Sequence, residues 1–148
     1  MKSAVSTAGS SARSIPAPVV LEETLAYWEA ANGQRLLVKR CTVCKRVHFY
    51  PRDICPHCGG VDTVWEAVSG SGILYSYCVM GHGPDAHIMA LVTLDEGVTM
   101  MSNIVGCEAK ALRIGMRLRV VFVSGAGKPN RDGSPAQVQL VPMFTPMA

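Results

Sequence analysis

Apolar positions follow two different spacings along the chain. In residues 19–31, VVLEETLAYWEAA, Val20, Leu21, Leu25, Trp28 and Ala31 recur at three- and four-residue steps, while Glu22, Glu23 and Glu29 fall mostly between them. That period predicts a helix with one apolar face, ended by Asn32-Gly33. RLLVKR (35–40) reads as a short strand, 41–58 as a ribbon, and GGVD (59–62) as a turn. From Val64 the spacing becomes that of strands. VWEAVSGSGILYSYCVM (64–80) is one long run, with Gly70 and Gly72 marking a bulge or a tight bend at a barrel corner. AHIMALVTLD (86–95) and VTMMSNIV (98–105) flank Glu96-Gly97, a hairpin turn. CEAKALRIG (107–115) is a short helix or turn, RLRVVFVS (117–124) alternates, GAGKPNRDGSP (125–135) is a loop, and AQVQLVPMF (136–144) closes the set. Five strands in this order, the first long and bent, with a helical link between the third and fourth, fit a small Greek-key barrel of the OB type.

Composition narrows the class. Of 148 residues, 49% are apolar and 17% charged, enough for one ordinary domain or a compact one with a small module attached. No apolar run is long enough to cross a bilayer, and the 8 methionines hint at an exposed surface that meets a partner. Residues 1–63 hold eight Lys/Arg against five Asp/Glu, net +3, and residues 64–148 hold six of each. That imbalance falls short of the strongly basic domain expected of a nucleic-acid binder. The first 18 residues, rich in Ser and Ala, lack the apolar core of a secretory signal and read as a flexible tail. The expected location is cytoplasmic.

The chemistry concentrates in CTVCKRVHFYPRDICPHC (41–58). Cys41, Cys44, Cys55 and Cys58 form two Cys-x-x-Cys pairs separated by ten residues. Each pair makes a knuckle, and two knuckles supply the four sulfurs of a tetrahedral zinc site. Iron fits the same sulfurs. Two disulfides are the competing reading and need an oxidising compartment. Four thiolates fill the coordination shell and leave no position for a reactive water, so the metal is expected to be structural. His48 and His57 are read as hydrogen-bonding or surface histidines. Lys39, Arg40, Lys45, Arg46 and Arg52 lie close by; offsetting the site's negative charge is favoured over a phosphate-binding face.

Elsewhere the candidates are weak. Cys78 and Cys107 are expected to be buried small hydrophobes. GHGPDAH (81–87), with His82, Asp85 and His87, is read as a solvated loop. In GAGKPNRDG the lysine precedes proline and a strand follows, so it is no phosphate loop. No self-sufficient active site emerges. A nucleic-acid-binding zinc-ribbon/OB module is the alternative, but residues 86–105, which span the usual stacking platform, contain no Phe, Tyr, Trp, Lys or Arg. Tyr75 and Tyr77 are expected to be packing residues.

Five segments together carry a resemblance: YWEAANGQRLLVKRCTVCKRVHFYPRDICPHCG, WEAVSGSGILYSYCVM, LVTLDEGVTMMSNIVG, LRIGMRLRVVF and LVPMF, spanning about residues 20–146. In order and spacing the chain resembles a family of small proteins with an N-terminal rubredoxin-like zinc ribbon and a C-terminal OB-fold, long catalogued as a domain of unknown function and found beside thiolase-like enzymes. Tyr50 stands where that family often has proline ahead of Pro51-Arg52. The resemblance implies a mainly β chain: a tail at 1–18, a helix at 19–33, a zinc ribbon at 34–62 and an OB-fold at 63–148. It further implies a non-catalytic subunit that binds a thiolase-superfamily enzyme in a hetero-oligomer. The CoA thioester is then held mainly by the partner, which also supplies the catalytic residues. The loop VHFYPR (47–52) is the expected contact, with Phe49 and Tyr50 toward the partner and Arg46 and Arg52 toward CoA phosphates.

Overall fold

The computed structural model describes residues 14–126 and 138–148. A 3-10 turn, Glu22–Thr24, runs into helix α1, Leu25–Asn32. The helix therefore starts later than the apolar period predicts, because Leu21 is extended and Thr24 pins the turn. The Thr24 hydroxyl accepts the Leu21 N–H at 3.3 Å and donates to the Leu21 carbonyl at 3.1 Å. Of the residues expected on the core face, Trp28 and Ala31 are buried but Val20, Leu21 and Leu25 are exposed; Thr24, Tyr27 and Ala30 are buried in their place. These residues have something to pack against, namely the first and last strands of the fold.

Strands β1 (Leu36–Cys41), β2 (Val47–His48) and β3 (Thr63–Val68) form an antiparallel sheet in the order β2-β1-β3. Strands β4 (Ser71–Met80), β5 (His87–Leu94), β6 (Thr99–Ile104), β7 (Arg117–Gly125) and β8 (Gln139–Pro146) close a barrel in the order β4-β5-β6-β8-β7. A parallel contact between Ile104 and Phe144 completes the ring. The Glu96-Gly97 turn joins β5 to β6 as expected: the Gly97 N–H donates to Leu94 O at 2.9 Å, and Gly97 takes φ +85°. A 3-10 turn, Ala109–Ala111, is the link before β7.

The run 64–80 is not one bent strand. It divides at Ser69-Gly70, and its first part pairs along the whole of β1, from Leu36↔Val68 to Cys41↔Thr63. Gly70 turns at φ +74° against Val120, whose N–H donates to the Gly70 carbonyl at 2.7 Å, and the chain passes there from the ribbon sheet to the barrel. Of the last expected strand, Ala136 and Gln137 lie outside the described residues; the described strand spans Gln139–Pro146, past the expected end at Phe144. Most of the predicted loop 125–135 and residues 1–13 of the predicted tail lie outside the described residues. Within that tail, Ile15 and Ala17 hydrogen-bond Ala126 at 2.7 and 3.1 Å, at the end of β7.

One apolar cluster runs through the whole fold. It joins Tyr27, Trp28 and Ala31 of α1 and Leu36 and Val38 of β1 to Leu74, Val92, Met100, Leu118 and Phe144 inside the barrel. Polar contacts fasten the same seam: Gln139 Nε2 donates to Trp28 O at 3.1 Å, and the Leu140 N–H donates to Asn32 Oδ1 at 2.9 Å. The ribbon is thus held at a fixed place on the barrel.

Candidate metal centre and the cavity beside it

Local backbone geometry aims the four predicted sulfurs at one point. The Cys41 N–H donates to Arg46 O at 2.9 Å, which folds the first knuckle back on itself, and Lys45 takes φ +63° to let it turn. In the second knuckle the Gly59 N–H donates to Cys55 O at 2.9 Å and the Cys55 N–H to Gly60 O at 2.8 Å. All four Sγ atoms lie within 4.8 Å of one another, with Cys41–Cys58 and Cys44–Cys55 at 3.7 Å. A metal about 2.3 Å from each sulfur in a tetrahedron sets the sulfurs about 3.8 Å apart, whereas a disulfide needs about 2.05 Å. The donor set and its spacing fit a tetrahedral thiolate site. A Cβ at Gly60 would come 3.3 Å from Cys58 Sγ, so the absent side chain leaves the sulfurs their room.

Electrostatics favour the thiolate at Cys41 but not at Cys58, whose thiol is pushed up to about 11: the Gly60 backbone N–H lowers it, but burial and the neighbouring sulfurs of Cys44, Cys41 and Cys55 outweigh that. The Cys44 and Val43 backbone N–H groups pull the Cys41 thiol down to about 7 against the opposing effect of burial. Cys41 and Cys55 are buried and Cys58 is exposed, so the site is closed on its inner side and open to solvent at one edge. Neither histidine joins the cluster. His48 Nε2 lies 3.2 Å from Arg52 O and His57 Nε2 3.3 Å from Val47 O, so both rings brace the ribbon loop.

The nearby cations divide into two sets. Lys39 is buried and bonds Asp53 at 2.6 Å under the Trp65 ring, 4.7 Å from its centroid. Arg40 forms a two-pronged pair with Glu66, one prong at 2.9 Å, and also donates to Lys45 O at 2.7 Å. Both are therefore committed to protein partners. Lys45, Arg46 and Arg52 are exposed.

Phe49 and Tyr50 do not simply face solvent. Their rings stack edge to face, 5.4 Å apart, and both approach Tyr27, at 5.8 and 6.4 Å. Burial, and then the Tyr50 hydroxyl, hold the Tyr27 phenol well above its ordinary range. These rings, with Trp28, wall one side of a cavity of about 510 Å³; Leu91, Met101 and Asn103 of the barrel wall the other. A hollow of this size, mostly apolar with a few polar groups, has the character of a binding site. Sequence reasoning found the loop side but missed Tyr27 and the barrel side. The outward positions of β5 and β6 look like ordinary solvent-facing strand residues until α1 and the ribbon are set beside them.

Three expectations about the barrel surface fail. Cys78 is exposed, and Tyr75 and Tyr77 are 62% and 36% exposed, not packed. Beyond Ile73 strand β4 has lost β7 as a neighbour, so these side chains have nothing to pack under. Cys107 is half-buried, and burial raises its thiol. His82 and Asp85 lie in an exposed turn, as expected. Among the described residues, the four cysteines are the only group of three or more metal-binding side chains drawn together. No described helix is long and apolar enough to cross a membrane.

Comparison with known proteins gives the arrangement its family. Residues 28–64 match the ChsH2 rubredoxin-like zinc ribbon domain, and residues 65–123 the ChsH2 C-terminal OB-fold domain. A DUF35 domain-containing scaffold protein of Methanothermobacter thermautotrophicus is 31% identical over 70% of this chain and 84% of its own length. Its counterpart in Methanocaldococcus jannaschii is 34% identical over 59% of this chain and 67% of its own. A probable enoyl-CoA hydratase alpha subunit of Thermomonospora curvata is 37% identical over 68% of this chain, but the match spans only 33% of that longer protein. Among solved structures, a chain of the Ltp2-ChsH2(DUF35) aldolase superposes with a TM-score of 0.69 at 30% identity, over 88% of this chain and 98% of that one. A DUF35 protein of unknown function from Sulfolobus solfataricus shares the fold, with a TM-score of 0.54 at 12% identity over 68% of this chain and 78% of that one. The zinc-ribbon sheet, the closed five-stranded barrel and these matches agree, and the chain belongs to the ChsH2/DUF35 family.

Proposed function

We propose that this chain is a non-catalytic subunit that docks on a thiolase-superfamily enzyme and supports acyl-CoA chemistry, by scaffolding and by helping to cover the CoA site. The match to the Ltp2-ChsH2(DUF35) aldolase carries this reading, because it takes in ribbon and barrel together and nearly the whole of that chain. The site chemistry agrees with it. The cysteine cluster offers a metal four sulfurs and no open position.

The metal is zinc in this reading, iron being the other ion the sulfurs accept. It holds the ribbon loop rigid, and the loop presents Phe49 and Tyr50 at the mouth of the cavity. Arg46 and Arg52 are the exposed cations offered to CoA phosphates; Glu23 and Asp53 line the same hollow as Arg52 and weaken its share. A nucleic-acid module has less support, since β5 and β6 carry neither stacking aromatics nor cations.

Purification of the tagged full chain from its native host tests the proposal. The expected result is co-elution with a thiolase-type enzyme, acyl-CoA turnover by the complex and not by this chain alone, and one equivalent of zinc. A chain that elutes alone, or that turns over acyl-CoA unaided, overturns it.

A further inference from the structure

The bare stretch of β4 is the least expected feature of the surface. β4 pairs with β7 only at Ser71–Ile73. At Leu74 the edge is still occupied, because the Leu74 N–H donates to Met116 O at 3.0 Å and the Gly115 N–H to Leu74 O at 2.8 Å. From Tyr75 to Met80 the outer edge has no partner strand among the described residues. A bulge at Tyr75 interrupts the ladder, and Ser76–Met80 then pair regularly with β5, from Ser76↔Leu91 to Met80↔His87.

Folded proteins guard such an edge with lysines, prolines or a covering segment, because it templates pairing with any exposed strand. Among the described residues no lysine, proline or covering strand guards it, and the bulge at Tyr75 is the one such device. β4, β5 and β6 contain no Asp, Glu, Lys or Arg, and 75–80 contain no proline. Tyr77, Cys78, Val79 and Met80 are all exposed, so both faces of the strand are open. The apolar surface continues across the barrel: Leu91 and Met101 lie next in register and line both a shallow cleft with Tyr77, Cys78 and Met89 and the cavity beside Phe49 and Tyr50. Taking about 200 Å² per large side chain, the exposed parts of Ile73, Tyr75, Tyr77, Val79, Met80, Leu91 and Met101 amount to on the order of 600 Å². A standard interface covers about 800 Å² per partner.

We infer that the edge Tyr75–Met80 receives an extended, uncharged segment of the catalytic partner as an added strand, and that Leu91 and Met101 continue this contact toward the Phe49–Tyr50 loop. The inference rests on the subunit role proposed above. Backbone hydrogen bonds supply the pairing, and side chains on both faces of β4 supply the selectivity. A surface without charge selects a partner segment without charge, since a buried unpaired ion is costly. Nucleic acid is a poor occupant because no cation tracks a phosphate chain here.

The test uses the full chain, free and in the complex recovered from its native host. Amide hydrogen exchange across Ser76–Met80 is expected to slow by about tenfold or more in the complex. Tyr75→Lys and Val79→Lys should each cut recovery of the co-eluting acyl-CoA enzyme by about tenfold or more, with metal content and melting temperature unchanged. Val61→Lys, at an equally exposed apolar site on the ribbon side, should cut it little. A wild-type complex whose edge amides exchange as in the free chain overturns the docking assignment alone. So does full recovery with both lysine variants, or a self-dimer of the free chain that Val79→Lys splits. Failure of any acyl-CoA enzyme to co-elute with the wild-type chain overturns the subunit role itself.

Discussion

Asp95 and Arg117 illustrate how a single pair fastens the β5–β6 turn to the barrel. Arg117, at the start of β7, grips Asp95 of the β5–β6 turn through two hydrogen bonds, at 2.6 and 2.7 Å. The side-chain hydrogen bonds from Arg117 hold the Asp95 carboxyl below its ordinary value. A depressed carboxyl stabilises the fold fully above its unfolded value of about 4 and loses that contribution as pH falls through the folded value. Asp95→Asn should therefore be less stable than the parent near neutrality, and the gap should close in acid; urea melts across pH check this, and a gap that widens in acid refutes it. Cys55→Ser makes a simpler prediction. With one buried sulfur gone, metal content should fall from one equivalent to a small fraction, as metal analysis of the purified chain shows. At this scale the cysteine cluster was legible because each knuckle depends on spacing over three residues. The burial of Tyr27 was not, because Phe49, the ring it meets, lies far along the chain and nothing local ties the two together.

Among elements, Gly72 of β4 and Gly97 of the β5–β6 turn give the sharpest contrast. A Cβ at Gly72 would sit 2.5 Å from Thr93 O and 3.1 Å from Leu94 Cα, both backbone atoms of the neighbouring strand, which cannot step aside. Gly97 has nothing within 4 Å and only its left-handed φ to lose. Gly72→Ala should thus cost about 2–3 kcal/mol through overpacking, and Gly97→Ala about 1 kcal/mol through backbone strain. Equilibrium urea unfolding of the two variants ranks them; equal costs would refute the close-approach account. The bend near these glycines was readable, since glycine inside a strand pattern has few other uses. That β3 belongs to the ribbon was not, because an apolar strand next to β1 and an apolar strand inside a barrel have the same alternation. The helix shows the reverse error. Val20 and Leu21 fit a helical period, yet the chain there is extended, and an apolar period says nothing about where the first turn is pinned.

For the molecule as a whole, the continuous core makes ribbon and barrel one unit. Tyr27, Trp28, Leu36 and Val38 belong to the same cluster as Val92 and Phe144. Heating the metal-loaded chain should therefore give one transition by every probe. Chelation should move that transition down without splitting it, because metal binding contributes to the stability of the common fold. Calorimetry with and without chelator decides this, and two separated transitions after chelation would refute it. The fold class was legible from strand count and order, and the drawing together of the four cysteines from their spacing. The cavity, the bare edge of β4 and the seam between α1 and β8 were not, since each is made by elements that meet only in the closed structure.

That seam also constrains the order in which the chain can mature. Translation delivers α1 early and β8 more than a hundred residues afterwards, yet Trp28 and Asn32 bond Gln139 and Leu140 across separations of 111 and 108 positions. The knuckles at 41–58, by contrast, can capture their ion while most of the barrel is still inside the ribosome. A nascent chain would then carry a tied ribbon and an undocked helix until β8 emerges, with Trp28 open to proteases and chaperones for that interval. Stalled chains of increasing length should show metal-dependent protection of the ribbon first and protection of α1 only once residue 146 is outside; early protection of α1 would show that the helix finds another partner on the way.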